Sequence, residues 1–164
     1  MMRIALQGLL LVFLTSCGDT TEEAEEAMGP TPKQVRTLIQ RFDVRLQKAE
    51  ATYVEFVDIL KQGDAVKSDY EYAVEVLERE HELAEKVVVY EGTKYKANES
   101  SYLKHQAVAL LFSYLNMTKT ELLDVYNGDD SNPNETLRNN RMVLNTFRTL
   151  YNNEKKKLLE AFPE

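Results

Sequence analysis

The sequence predicts an all-α protein, an up-down-up-down four-helix bundle. Apolar residues return at alternating spacings of three and four in four separate segments, which is the signature of a buried helical stripe. Each segment opens on a helix-start signal. The connections between segments are five to seven residues long, which makes sequential helices antiparallel neighbours. The few glycines and prolines fall between these segments rather than inside them, as helix punctuation should.

The first segment is expected to run from Pro32 to Gln62. Val35, Ile39, Phe42, Leu46, Ala49, Tyr53, Phe56 and Leu60 follow a 4-3-4-3-4-3-4 spacing that places all eight on one face. Thr31 supplies a hydroxyl N-cap, Pro32 suits the first turn, and Gln34 stands where its side chain reaches back. Gly63 ends it. The second segment is expected over 69–91, with Ser68, Asp69, Tyr70 and Glu71 forming a capping box. Its stripe is Tyr70, Val74, Leu77, His81, Ala84 and Val88, and Gly92 is its stop. The third is expected over 99–127. Leu103, Ala107, Leu110, Tyr114 and Met117 keep the repeat, which then slips by one residue to Thr118, Leu122 and Val125, as a stutter does. The fourth is expected over 133–162, with Asn132 as cap and Leu137, Asn140, Leu144, Phe147, Tyr151, Glu154 and Leu158 on the seam. Lys155, Lys156 and Lys157 lie in its last turns, where positive charge suits the helix dipole.

The segment before the bundle is of a different kind. Residues 1–16 read as a secretory signal peptide: Arg3 is the only charge before Asp19, and an apolar stretch runs over 4–14. That stretch is eleven residues long, well under the ~20 that a spanning helix needs. Leu14, Thr15 and Ser16 then stand directly before Cys17. This motif resembles the lipobox of bacterial lipoproteins, in which a branched apolar residue and small residues precede a cysteine that is acylated and becomes the new first residue. The resemblance implies lipid attachment at Cys17, palmitate among the acyl chains, and a membrane partner engaged through the N-terminal lipid. Gly18 in place of Asp implies the outer membrane rather than the inner. Cys17 is the only cysteine, so the domain has neither a disulfide nor a second thiol. Residues 17–30 carry five acidic residues and no basic one, and are expected to form a disordered, solvated tether. The acidic run also resembles surface-export signals of some bacterial lipoproteins, although an ordinary acidic spacer is the preferred reading. The domain plan is therefore signal peptide 1–16, lipidated tether 17–30 and bundle 31–164.

Charge narrows the function. The formal charge of −7, or −8 once Arg3 is removed with the leader, argues against nucleic acid as a partner. Catalysis has little to work with. The two histidines, His81 and His105, lie on different predicted helices, and no Gly-x-Ser-x-Gly, Ser-x-x-Lys or phosphate-cradling glycine loop is present. The chain is expected not to be an enzyme, and no cofactor or metal is assigned. Glu78 and His81 form a single Glu-x-x-His. Ferritin-like di-iron bundles carry that motif twice, together with further carboxylates, so half of such a ligand set is missing here.

Two surfaces are candidates for a partner. The second segment carries eight acidic residues against Arg79 and Lys86. Glu71, Glu75, Glu78, Glu82 and Glu85 form the candidate acidic face, with Glu75–Arg79 and Glu82–Lys86 as expected i,i+4 pairs. The second surface is a tyrosine-rich corner of Tyr90, Tyr95 and Tyr102, accompanied by Lys94, Lys96 and Lys104. The functional expectation is a lipid-anchored helical domain of the bacterial envelope that binds another envelope protein as an adaptor or structural factor. Narrower alternatives are a periplasmic immunity or inhibitor lipoprotein and a ligand- or metal-binding bundle.

Overall fold

The computed structural model describes residues 29–90 and 99–163. The signal peptide, the motif of Leu14, Thr15, Ser16 and Cys17, the tether up to residue 28, Gly92, and Lys94, Tyr95 and Lys96 lie outside the described residues. The fold is an all-α four-helix bundle whose third helix is broken in two.

α1 (Pro32–Gln62) has the bounds its sequence predicts. The Gln34 N–H donates to Thr31 Oγ1 at 3.3 Å, and the Thr31 N–H donates to Gln34 Oε1 at 2.7 Å, so two otherwise orphaned donors are satisfied reciprocally. Gly63 closes the helix in the left-handed region, at φ 75°, where a side chain would be strained. The predicted stripe is buried from Val35 to Phe56, and Leu60 is half-buried. Leu38, Thr52 and Val57 are buried beside it. This wider stripe lets α1 touch helices on both of its flanks.

α2 (Lys67–Glu85) departs from expectation at both ends. It begins two residues early. Val66 is the capping residue, and the Asp69 carboxylate, not the Ser68 hydroxyl, accepts the Val66 N–H at 2.9 Å. It also stops six residues before Glu91. Val87, Val88 and Val89 follow, and β-branched side chains lose χ1 freedom in a helix. The end is fixed from outside: Lys104 donates to the carbonyls of Glu85 at 2.7 Å and Val87 at 2.8 Å. Val88, assigned to the seam by spacing, is 81% exposed as a result.

The third segment is not continuous. α3 (Glu99–Lys119) and α4 (Glu121–Asn127) meet at Thr120, whose φ −113° and ψ −79° lie off the helical well. The break falls two residues past the predicted slip at Thr118. The Thr118 and Thr120 hydroxyls each donate to the carbonyl four residues back, at 2.8 Å, a local bond that bends helices. α5 (Pro133–Ala161) starts where expected, but the Asn132 side chain does not cap it. Instead the Asp130 carboxylate accepts the Asn132 N–H at 2.7 Å, and Asn132 Nδ2 donates to Glu135 at 2.8 Å.

Phe42, Leu77, Leu103, Leu110, Leu111, Leu122 and Leu158 lie at the centre, fully buried. Each such side chain stabilises by about 1.5–3 kcal/mol relative to exposure. α1, α2 and α3 pack closely on one another, whereas α5 leans chiefly on α3 and touches α1 more lightly. Residue numbers fall on α2 and α5 as they rise on α1. Arg45 meets Glu80 and Phe56 meets Tyr70, while Asp43 meets Tyr151 and Glu50 meets Arg148.

Candidate functional site

The acidic face of α2 is on the surface, and three lysines offset part of its charge. Glu71, Glu75, Glu82 and Glu85 are exposed, and Glu78 is half-buried. Lys67 sits 3.0 Å from Glu71, Lys86 3.6 Å from Glu82, and His81 3.9 Å from Glu85. Glu78 is held by Lys119 from α3. Each exposed pair of this kind is worth about 0–1 kcal/mol. The expected Glu75–Arg79 pair does not form. Arg79 Nε turns instead to Glu80 at 3.5 Å, and Glu75 has no ion pair among the described residues.

Glu80 explains that turn. One of the eight acidic residues of the second segment, it is 2% exposed and points into the α1–α2 seam. Arg45 Nη1 donates to it at 3.0 Å, and Lys48 lies 3.7 Å away. A carboxylate taken out of water is costly unless it is paired and hydrogen-bonded, and three cations converge on this one. The spacing of Ala73, Leu77, Glu80 and Ala84 is 4-3-4, so the stripe itself pointed to position 80.

The tyrosine-rich corner is partly structural. Tyr90 is half-buried, and its carbonyl accepts the buried Ser100 hydroxyl at 2.6 Å. Tyr102 is 53% exposed. Lys104, expected as part of a basic surface, is occupied in closing the end of α2. Tyr95 lies outside the described residues. The Glu-x-x-His residues are also engaged. The His81 ring lies 5.8 Å from that of Phe112, and Glu78 is paired with Lys119. Among the described residues no group of three or more His, Cys, Asp or Glu could hold a metal ion.

A feature with no counterpart in the predicted surfaces lies between α1 and α5, where α5 leans away. A cavity of about 410 Å³ runs along residues 50–61 of α1 and 137–148 of α5. Val54, Val57, Leu137, Leu144 and the rings of Tyr53 and Tyr114 give it apolar walls. The two rings lie 5.2 Å apart, tilted. A second hollow of about 280 Å³ follows along residues 43–50 and 148–155. Glu50 and Arg148 line both, so their ion pair forms the wall between them. Arg148 Nη2 also donates to the Tyr114 hydroxyl at 2.5 Å. Beyond that wall the Tyr151 hydroxyl donates to Asp43 at 2.8 Å, and Lys155 donates to the same carboxylate at 2.5 Å.

The electrostatics follow from burial. Desolvation pushes the Tyr53 hydroxyl up to about 12, against a smaller opposing effect of the adjacent Asn140 side chain. Burial raises Tyr114 as well, although the Arg148 charge works the other way. Burial and the Asp43 carboxylate both hold Tyr151 in its neutral form. Desolvation disfavours the Arg148 cation, but its bonds to Glu50 and Tyr114 outweigh that and raise its pKa. The seam is therefore polar, and it is not fully satisfied. Tyr53 Oη and Asn140 Nδ2 are buried, and neither completes a hydrogen bond. Among the other charged residues lining the cavity, Asp58 pairs with Lys61 at 3.5 Å. Arg141 is exposed and without an ion pair among the described residues. Sequence reasoning passed over Arg141 because only its interleaving with Leu137, Leu144 and Arg148, at 4-3-4 spacing, marks it.

Compared with family models, curated proteins and solved structures, the chain matches none. Among the described residues no helix is long and apolar enough to cross a membrane.

Proposed function

We propose that this chain is a bacterial lipoprotein, anchored in the cell envelope through acylated Cys17, whose helical domain binds another envelope protein without catalysing a reaction. The observation that carries the reading is the sequence of Leu14, Thr15, Ser16 and Cys17 behind a short apolar stretch, in a chain with no other cysteine. A lone thiol that becomes a lipid thioether leaves nothing to cross-link, and two or more acyl chains hold a protein firmly at a bilayer. The tether length and the outer-membrane assignment belong to the same reading. The partner surface is the exposed part of α2, where Glu71, Glu75, Glu82 and Glu85 stand beside the 57% exposed Tyr72. A basic partner would find there a steering field more than a source of tight binding.

Two measurements test the reading. In cells fed labelled palmitate, the wild-type chain should take up label and stay with membranes after a high-salt wash. Cys17→Ser should remain unprocessed and unlabelled. A Cys17→Ser chain that is still processed and still sediments with washed membranes refutes the anchor. For the partner, solubilised membranes should yield one envelope protein that is captured by the wild type and lost when Glu71, Glu75, Glu82 and Glu85 are replaced by Lys. Equal capture by both removes the acidic face from the account.

A further inference from the structure

The α1–α5 cavity has the chemistry of a small-molecule site rather than of a packing defect. Its volume of about 410 Å³ falls within the ~300–1,000 Å³ typical of ligand cavities. Its walls are apolar side chains and two aromatic rings, bordered by Glu50, Asp58, Lys61, Arg141, Asn145 and Arg148. The charges around it are nearly balanced. Asp58 is paired with Lys61 and Glu50 with Arg148, and Arg141 remains as the one lining cation with no ion pair among the described residues. One end is closed by the bridge of Glu50, Arg148 and Tyr114.

We propose that this cavity binds a small amphipathic monocarboxylate, with its carboxylate on the Arg141 guanidinium and its saturated body against Val57, Leu137 and Leu144. A single spare positive charge matches a single negative one, and a planar guanidinium offers a carboxylate two parallel donors. A dianion such as a phosphate monoester would leave one charge uncompensated beside apolar walls, at a desolvation cost. A sugar would find almost no neutral polar partner other than Asn145. The Tyr53 hydroxyl is sealed in the core, so that residue offers the ligand only its ring face. The site stands whether or not Cys17 is acylated and whether or not α2 meets a partner, so it stands or falls separately from the anchored-adaptor reading.

The test is titration calorimetry on the purified full chain, with octanoate below its micelle concentration as the probe and octanol and octylammonium as controls. Octanoate should bind saturably at one site, and the two controls at least tenfold more weakly. Arg141→Gln should weaken octanoate by about tenfold or more, as expected for a lost charge-assisted hydrogen bond. Arg141→Lys should recover part of the loss, because charge returns without the fork. Leu137→Trp, which fills the cavity from a half-buried position, should abolish binding while the far-ultraviolet dichroism stays that of the wild type. Equal binding of octanol and octanoate, unchanged affinity in Arg141→Gln, or no saturable octanoate binding to the wild type would each overturn the proposal.

Discussion

The two flanks of α1 are built on opposite plans. On the α2 flank, buried Ala73, Leu77 and Ala84 share the hydrophobic core with α1, and the buried charge of Glu80 is met by three cations. On the α5 flank a ladder of polar ties, Asp43 to Tyr151 and Lys155 and then Glu50 to Arg148, spans a seam that holds two hollows. The first flank leaves a hollow of only about 50 Å³, beside Phe56 and Ala73, and specifies position. The second keeps α5 in register through groups that water or a solute could also satisfy.

The contrast can be broken by removing volume from the dry flank. Leu77 is fully buried, so Leu77→Ala should cost about 2–5 kcal/mol in urea unfolding. A loss under 1 kcal/mol would mean that this flank is no better packed than the other. Alkaline pH should attack the wet flank. Tyr53, Tyr114 and Tyr151 all lie there, and all have raised pKa values in the folded state. The unfolded chain therefore loses these protons first. The stabilising contribution of Tyr53, on the order of 3 kcal/mol, is complete below about pH 10 and disappears as pH climbs towards 12, and those of Tyr114 and Tyr151 change in the same direction. Tyrosinate absorbance should rise together with loss of helicity. Smooth titration of all nine tyrosines around pH 10 with the helices intact would contradict the burial of these three.

Smaller effects sharpen the comparison. Glu80→Gln should cost about 1–3 kcal/mol, because Arg45 and Lys48 lose their shared anion. In a double-mutant cycle with Arg45→Met, the two losses should fail to add. Additive losses would show that Arg45 and Glu80 are not coupled. Asp43→Asn on the opposite flank should cost less than about 1 kcal/mol, since the Asp43 and Lys155 side chains are each about a third exposed and water screens them.

Much of this architecture was legible in the sequence where local rules decide it. Thr31, Pro32, Gln34 and Gly63 fixed both ends of α1 because each acts on backbone groups within a few residues. The slip at Thr118 announced the Thr120 break, although periodicity reads a slip as a drift of the stripe rather than a stop. The end of α2 was not legible, because the residue that sets it, Lys104, is supplied by α3. Glu80 was left out of the predicted stripe because of its chemistry: a carboxylate reads as surface until the three cations around it are known. The cavity could not be read at all. It follows from the lateral offset of α5, which no pattern of apolar residues along a single helix records.

The ion pair of Glu50 and Arg148 is also a stop set across a channel. The two hollows it divides lie end to end, so a guest in the first can lengthen only until its tail meets that pair. Across a homologous series of carboxylates, affinity would then climb with each methylene and level off at one chain length. Removing the Glu50 carboxylate should move that plateau to longer members. Selection by reach, rather than by shape, would thus rest on one salt bridge.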